Sequence, residues 1–242
     1  MRSEDPAAPS PVVLEYLQLI YALRAEGADA YAVTLADRFG VSRANASATV
    51  QRMVRDGLVH VEGRQIELTE QGRASAEAGL RRHRLTERFL VDVLGIEWAT
   101  VDAQARRFER GLTPLLEERM DQRLGYPRTC PHGSPIPRAD LNAATYLRDR
   151  GAVLLAEAPL DRPLLLLLIS EAAEDRPEAL RACLMQRLLP GARILVGARA
   201  ADGSLTLQHS DGSTTIDASL AACIWVVRAG QLGQEGKERP DA

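Results

Sequence analysis

Apolar positions recur with two different periods along the chain, and the change from one to the other divides it. From Pro11, the residues Val12, Val13, Tyr16, Leu17, Leu19, Ile20 and Leu23 share one face of a helix that Gly27 ends. A short helix is expected from an N-cap at Thr34 to a stop at Gly40, with Asp37 in its first turn. Ser42 caps a third helix to about Asp56, with Ala46, Val50, Met53 and Val54 turned inward. Residues 58–62 and 65–68 alternate around Gly63-Arg64, a hairpin signal. Thr69 caps a long helix reaching Leu94, and helices over 100–111 and 113–124 follow. Residues 125–137, rich in proline and glycine, read as a loop. After about Gly151 the period shortens. Runs at 164–169, 194–196, 205–208, 214–216 and 224–227 read as short strands, with an amphipathic helix over 176–188. Strands this short and closely spaced predict a small barrel. The chain is therefore expected to be mainly α with a small β domain.

Composition narrows the class. Of 242 residues, 45% are hydrophobic and 26% charged, enough apolar surface to exclude a wholly disordered chain. The longest apolar run without a charge, 163–170, is far below the roughly 20 residues of a membrane span. The first residues lack a secretory core, and three scattered cysteines make no disulfide framework, so a cytoplasmic protein is expected. No H-E-x-x-H, G-x-S-x-G or P-loop string is present, which argues against an enzyme. The net charge is −3, yet residues 30–88 hold ten arginines against seven acids. The field that matters for nucleic acid is local.

Two short helices joined by Gly40-Val41-Ser42 and followed by a hairpin are the parts of a winged helix-turn-helix. The second helix fits a major groove and would read base edges. Its exposed residues Ser42, Arg43, Ala44, Asn45, Ser47, Ala48 and Thr49 are small or polar, so the backbone can approach closely. Arg43 and Asn45 suit bases; Ser47, Thr49, Arg52 and the hairpin-tip Arg64 suit phosphates, with Thr34 added from the preceding helix. The competing reading is a protein-interaction module that does not bind DNA.

In this order and spacing the chain resembles the diphtheria toxin repressor family of iron- and manganese-dependent transcriptional regulators. The resemblance is carried by Leu14-Glu-Tyr-Leu-Gln-Leu-Ile-Tyr, Val41-Ser-Arg-Ala-Asn-Ala-Ser, Asp56-Gly-Leu-Val, Leu68-Thr-Glu-Gln-Gly and Arg82-His-Arg-Leu-Thr-Glu-Arg-Phe-Leu. Cys130-Pro-His-Gly-Ser-Pro-Ile-Pro and Leu189-Pro-Gly-Ala-Arg extend it, the last resembling the barrel of ferrous iron transport protein A. After a Pro/Ala/Ser-rich N-terminus (1–10) expected to be disordered from its composition, the resemblance implies a DNA-binding domain (11–80) and a helical dimerisation and metal-site domain (81–138). A linker (139–150), a small barrel (151–228) and a disordered tail (229–242) follow. It also implies a homodimer on a palindromic double-stranded operator, with Mn²⁺ or Fe²⁺ binding selecting the dimer geometry that fits it.

The metal positions depart from the family. Its primary site falls on Glu15, Arg106, Glu109 and Arg110. A guanidinium has no lone pair to offer a cation, and two fixed positive charges repel one. The primary site is thus expected to be lost, with Arg106 and Arg110 standing in for the metal charge by pairing with Glu15, Glu109 or Glu87. DNA binding would then need no metal. The second family site falls on His83, Glu87 and Asp102, which suit a hard-to-borderline divalent ion. His83 and Glu87, one helical turn apart, are either that site or an ordinary surface pair. If they are the site, the regulator is still activated by Mn²⁺ or Fe²⁺. Glu171, Asp175 and Glu178 lie where the family draws further ligands from its barrel. Cys130 and His132 read as a structural loop despite their C-x-H spacing; Cys183 and Cys223 as core; His60 and His209 as surface; Trp98 and Trp225 as packing.

Overall fold

The structure is a computed structural model that describes residues 9–174, 176–210 and 212–230. The expected termini at 1–8 and 231–242, and Asp175, lie outside the described residues. No described helix is long and apolar enough to cross a membrane. Contacts group the chain into two compact units. One holds residues up to Arg82 with Pro137–Ala144; the other holds His83–Ile136 and everything from Thr145 on.

The first unit contains α1 (Pro11–Ala25), α2 (Ala32–Phe39), α3 (Arg43–Arg55), β1 (Val59–Glu62), β2 (Gln65–Leu68) and the first half of α4 (Glu70–Asp92). Leu17, Ile20, Leu35, Met53, Ile66 and Leu80 meet in its core, and Tyr16 stacks on Phe39 with centroids 4.3 Å apart. Gly40, left-handed at φ 61°, ends α2 and lets the chain turn within two residues to Ser42, whose side chain caps α3 by accepting from Asn45 N. The start of α2 differs from the expectation. Tyr31, not Thr34, is its N-cap, and Thr34 lies inside the first turn. The cause is tertiary: Tyr31 bridges to Gln65, and Ile66 N donates to Ala30 O at 2.8 Å. The hairpin pins this segment and the helix starts where the pinning stops. Residues 137–144, expected as part of the helical domain and a linker, pack Ala143 into this core.

The second unit contains the rest of α4, α5 (Val101–Phe108), α6 (Pro114–Arg123), α7 (Tyr146–Asp149), α8 (Glu171–Glu174), α9 (Pro177–Met185) and α10 (Ala218–Ala221). Its strands are β3 (Val153–Leu154), β4 (Pro163–Ile169), β5 (Arg193–Arg199), β6 (Leu205–His209), β7 (Gly212–Ile216) and β8 (Ile224–Arg228). They form one antiparallel sheet in the order β3-β8-β4-β5-β6-β7. The leucine run of β4 packs with Val196, Leu205, Ile224 and Val226, and the core takes in Ala99 from a 3-10 turn (Trp98–Thr100) before α5. The α9 helix is shorter than expected because Arg187 turns left-handed at φ 54° and Leu188 N closes onto Cys183 O.

Candidate functional site

The α4 helix places His83 and Glu87 one turn apart on a single face. Both are buried, at 6% and 1% exposure, so the surface-pair alternative fails. Asp102, in the first turn of α5, brings Oδ1 to 3.1 Å from His83 Nε2, and Glu87 Oε1 lies 3.8 Å from the same nitrogen. His83 Nδ1 is 2.8 Å from Glu109 Oε2. One buried imidazole therefore faces three carboxylates.

A second group adjoins it through Glu87. His132 Nδ1 is 3.4 Å from Glu87 Oε1. The ligand atoms of Glu87, Cys130 and His132 all lie within 4.8 Å of one another, as do those of His83, Glu87 and Asp102. The loop bearing Cys130 and His132 is held from both sides. From α4, Arg84 donates to Pro135 O at 2.7 Å and Arg88 to Thr129 O and Cys130 O at 3.1 and 3.2 Å. From β4, Ile169 N donates to His132 O at 2.9 Å. Gly133, at φ +93°, lies so close to β4 that a Cβ there would meet Leu167 O at 2.3 Å.

The electrostatics follow from this packing. Burial alone would lower the His83 pKa; contact with Asp102 and Glu109 and the charge of Glu87 outweigh it and raise it well above its ordinary value. Burial pushes the other way on the acids, but His132 and His83 draw Glu87 down, and His83 and Arg106 hold Asp102 at about 2. The site thus keeps ionised carboxylates in the dark of the protein. His83 Nε2, Glu87 Oε1 and Asp102 Oδ1 are buried, yet none completes a hydrogen bond of ordinary geometry. An imidazole nitrogen and two carboxylate oxygens converging in the interior are a donor set that a divalent cation can take in place of the proton His83 otherwise holds. Imidazole and carboxylate suit Mn²⁺ or Fe²⁺, and the thiol of Cys130 adds a softer donor on the His132 side.

The expected primary-site positions behave differently. Glu15 belongs to the first unit, whereas Arg106, Glu109 and Arg110 belong to the second. Arg106 is exposed and its Nε donates to Asp102 Oδ2 at 3.0 Å, not the pairing expected for it. Arg110 is exposed in a 3-10 turn, and Glu109 is committed to His83. Of the sheet-domain candidates, Glu171 pairs with Arg84 at 2.6 Å and Glu178 opens α9 beside Arg181. Cys130 and His132, read from sequence as a structural loop, do lie in a loop held by α4 and β4, and the fold also brings their ligand atoms to Glu87. Their C-x-H spacing was the available signal, but only the fold brings it to Glu87.

On the first unit, Ser42, Arg43, Ala44, Asn45, Ala48, Arg52 and Arg64 are exposed and Ser47 half-buried. Thr49 is half-buried and donates its hydroxyl to Asn45 O. A groove of about 830 Å³ separates α3 from the hairpin, lined by Ser47, Gln51, Val61 and Arg64 among others. Gln51 was not expected from sequence; it follows Ser47 by one helical turn.

Residues 10–65 match the N-terminal DNA-binding domain of the iron-dependent repressors, and residues 69–138 match their metal-binding and dimerisation domain. The chain is 35% identical over 217 residues to the iron-dependent repressor IdeR of Mycobacterium leprae, covering 87% of this chain and 94% of that protein. The chain belongs to the iron-dependent repressor family. Within the family it is also 30% identical over 213 residues to the diphtheria toxin repressor of Corynebacterium diphtheriae, covering 86% of this chain and 93% of that one. Among solved structures, a manganese-dependent transcriptional repressor in complex with manganese superposes with a TM-score of 0.78 at 32% identity, over 90% of this chain and all of the other. Iron-dependent repressors are metal-dependent DNA-binding regulators built from a DNA-binding domain and a dimerisation domain, and this chain carries both.

Proposed function

We propose that this iron-dependent repressor homologue is a homodimeric, operator-binding repressor that senses a divalent cation through the α4 cluster. His83, Glu87 and Asp102 would hold the ion, with Glu109 orienting His83 and with Cys130 and His132 extending the donor set. One observation carries the reading: an imidazole nitrogen and two carboxylate oxygens from α4 and α5, all buried, lie within 4.8 Å of one another. When bound, the cation supplies positive charge among carboxylates that otherwise repel one another. The protein's own residues do the rest. Glu87 is shared between the two donor groups, and Asp102 ties the start of α5 to α4, so these residues would hold a cation where α4, α5 and the 130–132 loop meet.

On DNA, Arg43 and Asn45 are proposed to contact bases, while Ser47, Gln51, Arg52 and Arg64 track the backbone that enters the groove between α3 and the hairpin. Thr34 and Thr49 are secondary, since Thr49 already spends its hydroxyl on α3. Such a regulator acts on cytoplasmic DNA and needs no catalytic step.

A second reading, regulation independent of metal, is favoured by the Arg106–Asp102 ion pair, which already places a positive charge on a candidate ligand. Operator binding by fluorescence anisotropy separates the two. The first reading expects weak binding in chelator, recovery of more than tenfold with Mn²⁺ or Fe²⁺, and no recovery in His83→Ala. Tight binding in chelator that is flat in metal supports the second.

A further inference from the structure

We infer that Trp98 is a positioning residue for the metal centre: it fixes His132 so that Nδ1, and not Nε2, faces Glu87 and Cys130. This rests on the reading above that the cluster takes a divalent cation.

The argument starts from donors and acceptors. His132 Nε2 lies 3.1 Å from the carbonyl oxygen of Trp98. A carbonyl can only accept, so Nε2 carries the hydrogen. In a neutral imidazole the lone pair is then on Nδ1, the atom 3.4 Å from Glu87 Oε1. His132 is 0% exposed, so water does not choose its tautomer. The indole of Trp98 lies against the same imidazole, with ring centroids 4.7 Å apart at 52°. Its Nε1–H donates to Pro131 O at 3.0 Å, gripping the residue before His132.

One residue therefore holds His132 by its backbone carbonyl, its ring face and its indole N–H. A leucine or phenylalanine kept for packing alone would offer neither the indole hydrogen bond nor this combination. Trp98 also opens the 3-10 turn that leads into α5 and Asp102, and it packs against the core of the sheet. It thus sets the position of one candidate ligand while standing at the head of the helix that bears another. Partners of this kind orient a metal-binding imidazole, and their loss typically costs 10–100-fold in affinity.

The test uses the full chain with ¹⁵N-labelled histidine, metal-free and then titrated with Co²⁺. The chain has four histidines, and His132→Asn assigns the resonance of His132. Wild type is expected to show His132 as the Nε2–H tautomer. Trp98→Ala keeps the carbonyl that accepts from Nε2 but loses the ring contact and the indole bond to Pro131 O, so it is expected to shift the His132 ring resonances and to bind Co²⁺ about 10–100-fold more weakly. Trp98→Phe keeps a ring but not the Pro131 bond and is expected between the two, at least about threefold weaker than wild type; it decides the matter if Trp98→Ala does not fold. His132 protonated on Nδ1 in wild type, or a tryptophan variant within twofold of wild type in Co²⁺ affinity, overturns the proposal. Failure of the underlying reading looks different: His83→Ala and Glu87→Gln would then leave Co²⁺ affinity unchanged.

Discussion

Within the second unit, the buried candidate ligands and the arginines at the family's primary-site positions have opposite characters. His83, Glu87, Cys130 and His132 are buried, at 6%, 1%, 1% and 0% exposure, and held by a lattice of backbone hydrogen bonds. Arg106, one turn along α5 from Asp102, and Arg110, in the 3-10 turn after α5, are exposed and need no such support. A buried carboxylate is costly without a cation or a hydrogen-bond donor beside it, whereas an exposed arginine is solvated and cheap. The protein carries that cost at Glu87 and avoids it at Arg106 and Arg110. Burial of converging ligand atoms, and not the bare presence of acids, is what makes the α4 cluster the candidate cation site.

The largest effect should come from the buried side. Glu87→Ala removes the atom that both groups share and is expected to weaken Mn²⁺ binding by at least about 100-fold, beyond the 10–100-fold typical of partners that only orient a ligand. Calorimetric titration of the metal-free protein checks this. The exposed side should respond little: Arg106→Ala is expected to change Mn²⁺ affinity by less than about tenfold, since its bond to Asp102 Oδ2 orients a ligand from outside. If Arg106→Ala instead destroys operator binding in chelator, the arginine is the switch and the contrast between the two regions collapses.

On the DNA-binding unit, replacing Arg52 or Arg64 by alanine should lower the dependence of operator affinity on salt. Each phosphate contact contributes about 0.9 to the slope of log K against log salt, so a dimer losing two should lose roughly 2. Gly133→Ala sharpens the account of the ligand loop. Its Cβ would meet Leu167 O at 2.3 Å in a left-handed backbone, so it should cost at least about 1 kcal/mol, read as a lower Tm.

The smallest effect concerns the sheet core. Burial pushes the Cys183 thiol from an ordinary value of 9.0 up to about 11; the nearby Cys223 adds to this and Arg176 opposes it. The folded state therefore favours the protonated thiol. Its contribution to stability is complete below the unfolded value near 9 and is lost as pH rises toward 11. Cys183→Ala should flatten the alkaline limb of thermal unfolding measured across that window.

The helix-turn-helix was legible because its signals are local: Ser42 caps α3, Gly40 takes a left-handed turn, and Gly63-Arg64 closes the hairpin. Thr34 misled for the reason that tertiary bonds from β2 fix where α2 begins. At the metal centre, His83, Glu87 and Asp102 could be read from helical spacing and family resemblance. Their burial could not, since it comes from a loop some 45 residues downstream of Glu87 folding back between α4 and β4. Cys130, His132 and Trp98 were illegible as a site for the same cause. The C-x-H spacing is a weak local signal, and Cys130 and Trp98 meet Glu87 or His132 through contacts the sequence does not show. The salt partner of Arg106 was within reach: Asp102 precedes it by four residues on one helix, the spacing at which such pairs form.

The central claim is that the buried α4 cluster is the cation site, and direct binding tests it most simply. Metal-free protein titrated calorimetrically with Mn²⁺, beside Glu87→Gln at the same concentration, should give a clear isotherm for wild type and a loss of about 100-fold or more for the variant. Superimposable isotherms from the two proteins would contradict the account.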